Sequence, residues 1–283
     1  MEHLQAGDGG DDGGGAARSL LGHGEPGLLA VTGTFKQALA DGRPQLGLWL
    51  GLPCTESAEI VAAAGFDWLV LDGEHGPFDL AVIKSQLLAV ASHPGVEPVV
   101  RVPTGLGGYG EAMLKRCLDL GARTVLVPMI ESAAQAREVV RHCRYPAAGV
   151  RGVAAARAAA WGRDRGYFDR ANEEICILVQ VETVDGIAAL DEIVAVDGVD
   201  GVFFGPSDLS ASLGLLGQPE DPQVRTTVED AVGRVRKAGR AAGVLTRRHE
   251  SAVRYLEAGA TFVAVGTDAA LLVESSDRLR AMF

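Results

Sequence analysis

Two carboxylates stand where this chain is best equipped for chemistry. Glu182 closes the apolar run Ile177–Val181, and Asp208 follows the run Gly201–Phe204 after a Gly205-Pro206-Ser207 turn. A segment with helical spacing (Ile187, Leu190, Ile193, Val194) joins the runs. If they are parallel neighbouring strands, both acids emerge at one sheet edge, close enough to share a divalent cation through oxygen ligands. A plainer role is also open, because an acid before Leu209-Ser210 suits a helix N-cap. What else reaches the same edge decides between them.

Other groups of catalytic type end similar runs: Trp49, the turn Asp72-Gly-Glu-His75, Arg101, Gln180 and Thr246-Arg-Arg248. A lone histidine is more often a solvated loop residue. Here Asp72 precedes His75 by three positions, and a carboxylate beside an imidazole orients it and raises its basicity, as a general base requires. Arg101 is read either as the partner of a nearby acid or as a cation for a developing oxyanion. Oxygen ligands favour a hard cation, Mg²⁺ or Mn²⁺ foremost, with Co²⁺ or Zn²⁺ as alternatives. Such a cation would take a 2-oxo acid through its carboxylate and carbonyl and stabilise its enolate. No lysine ends any of these runs, so Schiff-base chemistry is not indicated. Gly105–Gly110 matches GxGxxG, but the next run ends in Pro128-Met129 with no acid for a ribose, and it is read as a decoy.

The elements that must position these groups follow one grammar. An amphipathic helix ends in a glycine (Gly65, Gly121, Gly198, Gly259), four or five apolar residues follow, and a polar residue stops the run. Eight strands are expected: Leu46–Leu50, Trp68–Asp72, Pro98–Val102, Thr124–Val127, Ile177–Val181, Gly201–Phe204, Gly243–Thr246 and Phe262–Val265. Strands alternating with helices over this length predict an α/β fold, a closed (β/α)8 TIM barrel with its chemistry at the C-terminal strand ends. The irregular stretch Pro146–Arg170 is expected to lie over the barrel mouth.

Of 283 residues 47% are apolar, enough for a substantial core, and the formal charge of −11 argues against a nucleic-acid partner. No apolar run approaches the roughly 18 residues that cross a bilayer. Cys54, Cys117, Cys143 and Cys176 lie far apart without a CxxC pair, which suggests neither a zinc knuckle nor a disulfide framework and fits a reducing cytoplasm. Residues 1–26, with the run Gly7–Gly15, read as a disordered Gly/Asp-rich tail without the features of a secretion signal. Residues 27–283 read as a single barrel domain.

Together, Gly47-Leu-Trp-Leu, Phe66–His75, Val125-Leu-Val-Pro-Met129, Gly149-Val-Arg-Gly152, Val179-Gln-Val-Glu-Thr183, Gly198–Ser210 and Phe262–Asp268 resemble the HpcH/HpaI aldolase family, the metal-dependent class II pyruvate aldolases. The resemblance runs from about Phe35 to Leu272. It implies a barrel of the phosphoenolpyruvate/pyruvate-domain type and reversible cleavage of a 4-hydroxy-2-oxo acid to pyruvate and an aldehyde. It further implies that Glu182 and Asp208 ligate the metal, that His75 is the acid/base supported by Asp72, and that Arg101 steadies the enolate oxygen. By the same resemblance Gln180 and the Gly205-Pro206-Ser207 backbone are expected to hold pyruvate, with Trp49 and Asp208 beside it. Asp119 is implied as the aspartate that reaches the histidine of a neighbouring subunit in a homohexamer whose last helix packs on a neighbour, which the apolar Leu271-Leu-Val273 permits.

The chain departs from the family at three places. Its Gly105–Gly110 loop is longer, which bears on the placement of Asp119. Val153-Ala-Ala-Ala-Arg157 replaces serine-containing text on the aldehyde side. Arg247-Arg248 is unusual and is read as solvated charge in preference to an anion site. A citrate lyase β or malyl-CoA lyase type of enzyme is the second reading, and a catalytically silent binding barrel the third.

Overall fold

The structure is a computed structural model that describes residues 34–283. The tail expected at residues 1–26, like residues 27–33, lies outside the described residues. Eight strands close into one barrel, each paired in parallel with its neighbours in chain order. They are β1 Gln45–Leu50, β2 Trp68–Asp72, β3 Glu97–Arg101, β4 Thr124–Val127, β5 Cys176–Val181, β6 Gly201–Phe204, β7 Ala241–Leu245 and β8 Phe262–Thr267. The expected (β/α)8 barrel is what forms.

Continuous apolar runs become strands here because each is covered on two sides. One set of side chains packs outward under the helices, among them Leu69, Leu71, Val100, Val125, Val179, Val202 and Val244. The alternate set fills the interior: Trp68, Val70, Val99, Leu126, Leu178, Phe203 and Phe262. Trp68 claims its space from Gly47, where a Cβ would lie 2.3 Å from the indole. Phe35 and Leu39, on the helix Phe35–Ala40, join the interior cluster, and Phe35 meets the Trp68 and Phe262 rings at 6.0 and 6.3 Å. That helix plugs the N-terminal end. Lys36 pins it, donating to the carbonyls of Glu173 and Ile175 and pairing with Asp200 at 3.3 Å.

β2, β4 and β6 form with the expected bounds, and the other five strands differ from them by one or two residues. β7 starts at Ala241 rather than Gly243, because Ala241 and Ala242 pair with Gly201 and Val202 of β6 despite their weak intrinsic strand preference. The segment expected between Ile187 and Val194 is two short helices, Val184–Ala188 and Leu190–Val194, parted at Ala189.

Pro146–Arg170 does not lie over the mouth of its own barrel. Arg151 bonds Asp119, at the end of the helix Gly107–Asp119, and Arg157 bonds the carbonyl of Leu120. Residues 157–175 line a groove of about 600 Å³ with Leu87, Ala91, Glu97 and Ala122, on the side where strands begin. The reason is topological: the helix Ala133–Cys143 has already returned to that end, and a helix-to-strand connection stays there.

Candidate active site

Period-two alternation in the strands brings the predicted residues together. Behind the inward Trp68 and Val70 comes Asp72, behind Val99 comes Arg101, and behind Leu178 come Gln180 and Glu182. Asp72 and Arg101 are direct partners across β2 and β3. Val181 pairs with Phe204, which sets Glu182 beside Gly205. Trp49, Asp72, Arg101, Gln180 and Glu182 are all buried at one rim.

One half of the site is built on Arg101. Its Nε and Nη2 donate to Asp72 Oδ1 and Oδ2 at 2.9 and 2.7 Å, a bidentate fork. Its Nη1 lies 2.6 Å from Glu74 Oε2, and its guanidinium stacks over Trp49, 4.8 Å from the ring centroid. Trp49 Nε1 donates to Asp72 Oδ2 at 3.1 Å. Burial pushes the Asp72 carboxyl up, but the hydrogen bonds and charge of Arg101 outweigh it and hold the group below the ordinary range. For Glu74 burial wins over Arg101 and His75, and its carboxyl is raised.

His75 sits at the edge of this group with its side chain 67% exposed. Asp72 supports it differently from the sequence expectation. Its Oδ1 accepts the backbone N–H groups of Glu74 and His75 at 3.1 and 3.2 Å, so the carboxylate sets the turn rather than facing the imidazole. The acid facing the ring is Glu74, at 3.9 Å from Nε2. Glu74 had no role in the sequence reading. The signal was present, since Glu74 is two positions after an inward aspartate and continues the alternation past the strand end.

The other half is acidic. Glu182 Oε1 accepts the N–H of Met129 at 3.1 Å, and Oε2 accepts a short hydrogen bond from Gln180 Nε2. Met129 adopts φ +57°, a left-handed conformation costly for a side chain of its kind, and this turns its amide onto the carboxylate. A Cβ at Gly205 would press on Glu182 Oε2, so a side chain there would displace that carboxylate. Burial above all, reinforced by the charges of Asp208 and Glu74, raises the Glu182 carboxyl to about 7. Asp208 is exposed in the first turn of the helix Pro206–Ser212, whose N-cap is Gly205 and not an aspartate, so the capping role does not apply. Pro206 is buried and Ser207 exposed.

The remaining candidates lie elsewhere. Asp119 ends its helix and accepts from Arg151 Nη2 at 2.7 Å, at the strand-start side. Arg247 and Arg248 are exposed past β7, with Arg248 Nε 4.0 Å from Glu250. Among the described residues no three His, Cys, Asp or Glu side chains are grouped to hold a metal.

Residues 45–275 match the model of the HpcH/HpaI aldolase/citrate lyase family. The chain belongs to that family. The hydroxypyruvate/pyruvate aldolase of Pseudomonas aeruginosa is 53% identical over 251 residues, covering 88% of this chain and 92% of that protein. The 4-hydroxy-2-oxo-heptane-1,7-dioate aldolase of Shigella sonnei is 48% identical over 252 residues, covering 88% and 94%. The crystal structure of an HpcH/HpaI aldolase/citrate lyase family protein from Burkholderia cenocepacia J2315 aligns with a TM-score of 0.83 at 40% identity, over 87% of this chain and 97% of that one. This HpcH/HpaI protein is an enzyme of the aldolase class, a lyase on a (β/α)8 barrel. None of its described helices is long and apolar enough to cross a membrane.

Proposed function

We propose that this aldolase reversibly cleaves a 4-hydroxy-2-oxo acid to pyruvate and an aldehyde through a pyruvate enolate, with a divalent cation, Mg²⁺ or Mn²⁺, held by Glu182 and Asp208. The observation that carries the reading is the division of the rim into an acidic half, Glu182 with Asp208, and a half built on the buried Arg101, with His75 at its edge. The residues fit a cation. Two carboxylates converge closely enough for the charge of one to raise the other, and the buried Gln180 Oε1 has no protein partner. When bound, the cation supplies Lewis acidity to a chelating 2-oxo acid.

The chain's own groups do the rest. Gln180 and the Gly205-Pro206-Ser207 backbone orient pyruvate. Arg101, aimed by its fork with Asp72, stabilises the developing enolate oxygen. His75 exchanges the proton between the methyl carbon and solvent, with Glu74 3.9 Å from its Nε2. Trp49 holds the Arg101–Asp72 fork flat and dry. Asp119 serves the mouth of a neighbouring subunit, since it lies on the opposite side of its own barrel. The exposed Leu271, Leu272, Val273, Leu279 and Phe283 of the last helix and chain end support a homo-oligomer, a hexamer. Four free cysteines support a reducing, cytoplasmic setting.

The test is exchange of the pyruvate methyl protons in D₂O, followed by NMR, with Mg²⁺ or Mn²⁺ and then with EDTA. Exchange that EDTA abolishes is expected. Its absence with every divalent cation would overturn the reading.

A further inference from the structure

The rim loop Gly51-Leu52-Pro53-Cys54 carries none of the groups assigned above, yet two buried polar side chains are spent on its backbone. Asp268 heads the helix Asp268–Arg280 directly after β8. Its Oδ1 accepts the Gly51 N–H at 2.9 Å, and its Oδ2 accepts the Leu52 N–H at 3.2 Å and the Ser57 hydroxyl at 2.9 Å. From the other side Gln86, fully buried on the helix Leu80–Val90, donates Nε2 to the carbonyls of Leu52 and Cys54 at 2.9 and 3.1 Å. Those two carbonyls fix the orientation of its amide and leave Oε1 buried without a partner.

What the loop carries is Trp49, two residues before Gly51. The pairing of β1 with β8 slips between Gly47 and Trp49 and places Trp49 opposite Thr267, which delivers Asp268 to the loop. Trp49 in turn donates to Asp72 and lies beneath Arg101.

We propose that Asp268 and Gln86 are positioning residues that clamp loop 51–54 from both sides and, through Trp49, set the Asp72–Arg101 fork. Its kinetic consequence rests on the function proposed above, whereas the clamp does not. Asp268 holds the loop N–H groups, and Gln86 holds its carbonyls. A carboxylate accepts at both oxygens and an asparagine amide at one, so Asp268→Asn loosens the loop without changing its volume.

Hydrogen–deuterium exchange of segment 46–57 reads the clamp in wild type, D268N, Q86M and S57A. Protection should fall about tenfold in D268N and Q86M and less in S57A, with the other strands unchanged. Methyl-proton exchange reads the coupling. D268N should lower kcat about tenfold while KM for pyruvate moves less than about twofold, and in a Trp49→Phe background D268N should cost less than about twofold. Unchanged protection in D268N overturns the clamp, and an equal loss in both backgrounds overturns the route through Trp49. If D268N fails to fold, Q86M and S57A carry both measurements. If wild type exchanges no methyl protons, the proposed function fails and loop protection alone decides the clamp.

Discussion

At the scale of single residues, Glu182 is the most informative group in the site. Its carboxyl, raised to about 7 by burial and by the Asp208 and Glu74 charges, is an acid held under conditions that favour the neutral form. The sign of the pH effect follows from linkage. An acid whose folded pKa lies above its unfolded value contributes stability that is present at low pH and is lost as pH rises through about 7. A cation held between Glu182 and Asp208, as proposed, would offset that loss by favouring the ionised form. The fall in Tm caused by EDTA should therefore be larger at about pH 8 than at about pH 6. Glu182→Gln should flatten this dependence and abolish the response to added Mg²⁺ or Mn²⁺. Equal falls at both pH values in the wild-type protein would show that a cation does not neutralise Glu182.

At the scale of elements, the barrel separates what holds it together from what it does. Phe35, on the plugging helix, packs against Trp68 and Phe262 at the strand-start end. Phe35→Ala should cost about 3–5 kcal/mol through the cavity it leaves, roughly 6–15 °C in Tm for a domain of this size. The methyl-exchange rate at 25 °C should stay within about twofold of wild type, because the chemistry lies at the opposite ends of the strands. A large loss of rate in a folded variant would refute that separation. The same architecture explains what the sequence shows. Doubly covered strands read as unbroken apolar runs ending in a polar residue, and barrel topology then names the rim, so Trp49, Asp72, Arg101, Gln180, Glu182 and Asp208 were legible. Glu74 was signalled by the same alternation but had no role in the sequence reading, whereas Met129, Asp268 and Gln86 were not legible, because their contributions depend on a left-handed φ, a slipped register and the aim of a buried amide. Pro146–Arg170 was misplaced because its composition carries no mark of which barrel end it occupies.

At the scale of the whole molecule, the position of Asp119 bears on the proposed assembly. The Asp119 carboxylate ends a helix, where the macrodipole disfavours a negative charge. It is held there by Arg151, whose side chain is fully buried and stacks on Tyr145 at 4.4 Å. Asp119 and His75 of one chain lie on opposite sides of the barrel, so they can act in one site only across a subunit boundary. That makes the assignment testable by mixing. His75→Ala and Asp119→Asn should each be nearly inactive in methyl exchange. If the two are unfolded together and refolded as a mixture, a site is complete where an intact His75 faces an intact Asp119 from the adjoining subunit. Random assembly from equal amounts gives about a quarter of wild-type activity. Recovery requires mixed oligomers, so Leu272→Lys on the exposed face of the last helix, placed in both variants, should lower the native mass and the recovered activity together. An Asp119→Asn variant that is fully active alone, or a mixture that forms oligomers of full mass yet regains nothing, would place every catalytic group of this aldolase within a single chain.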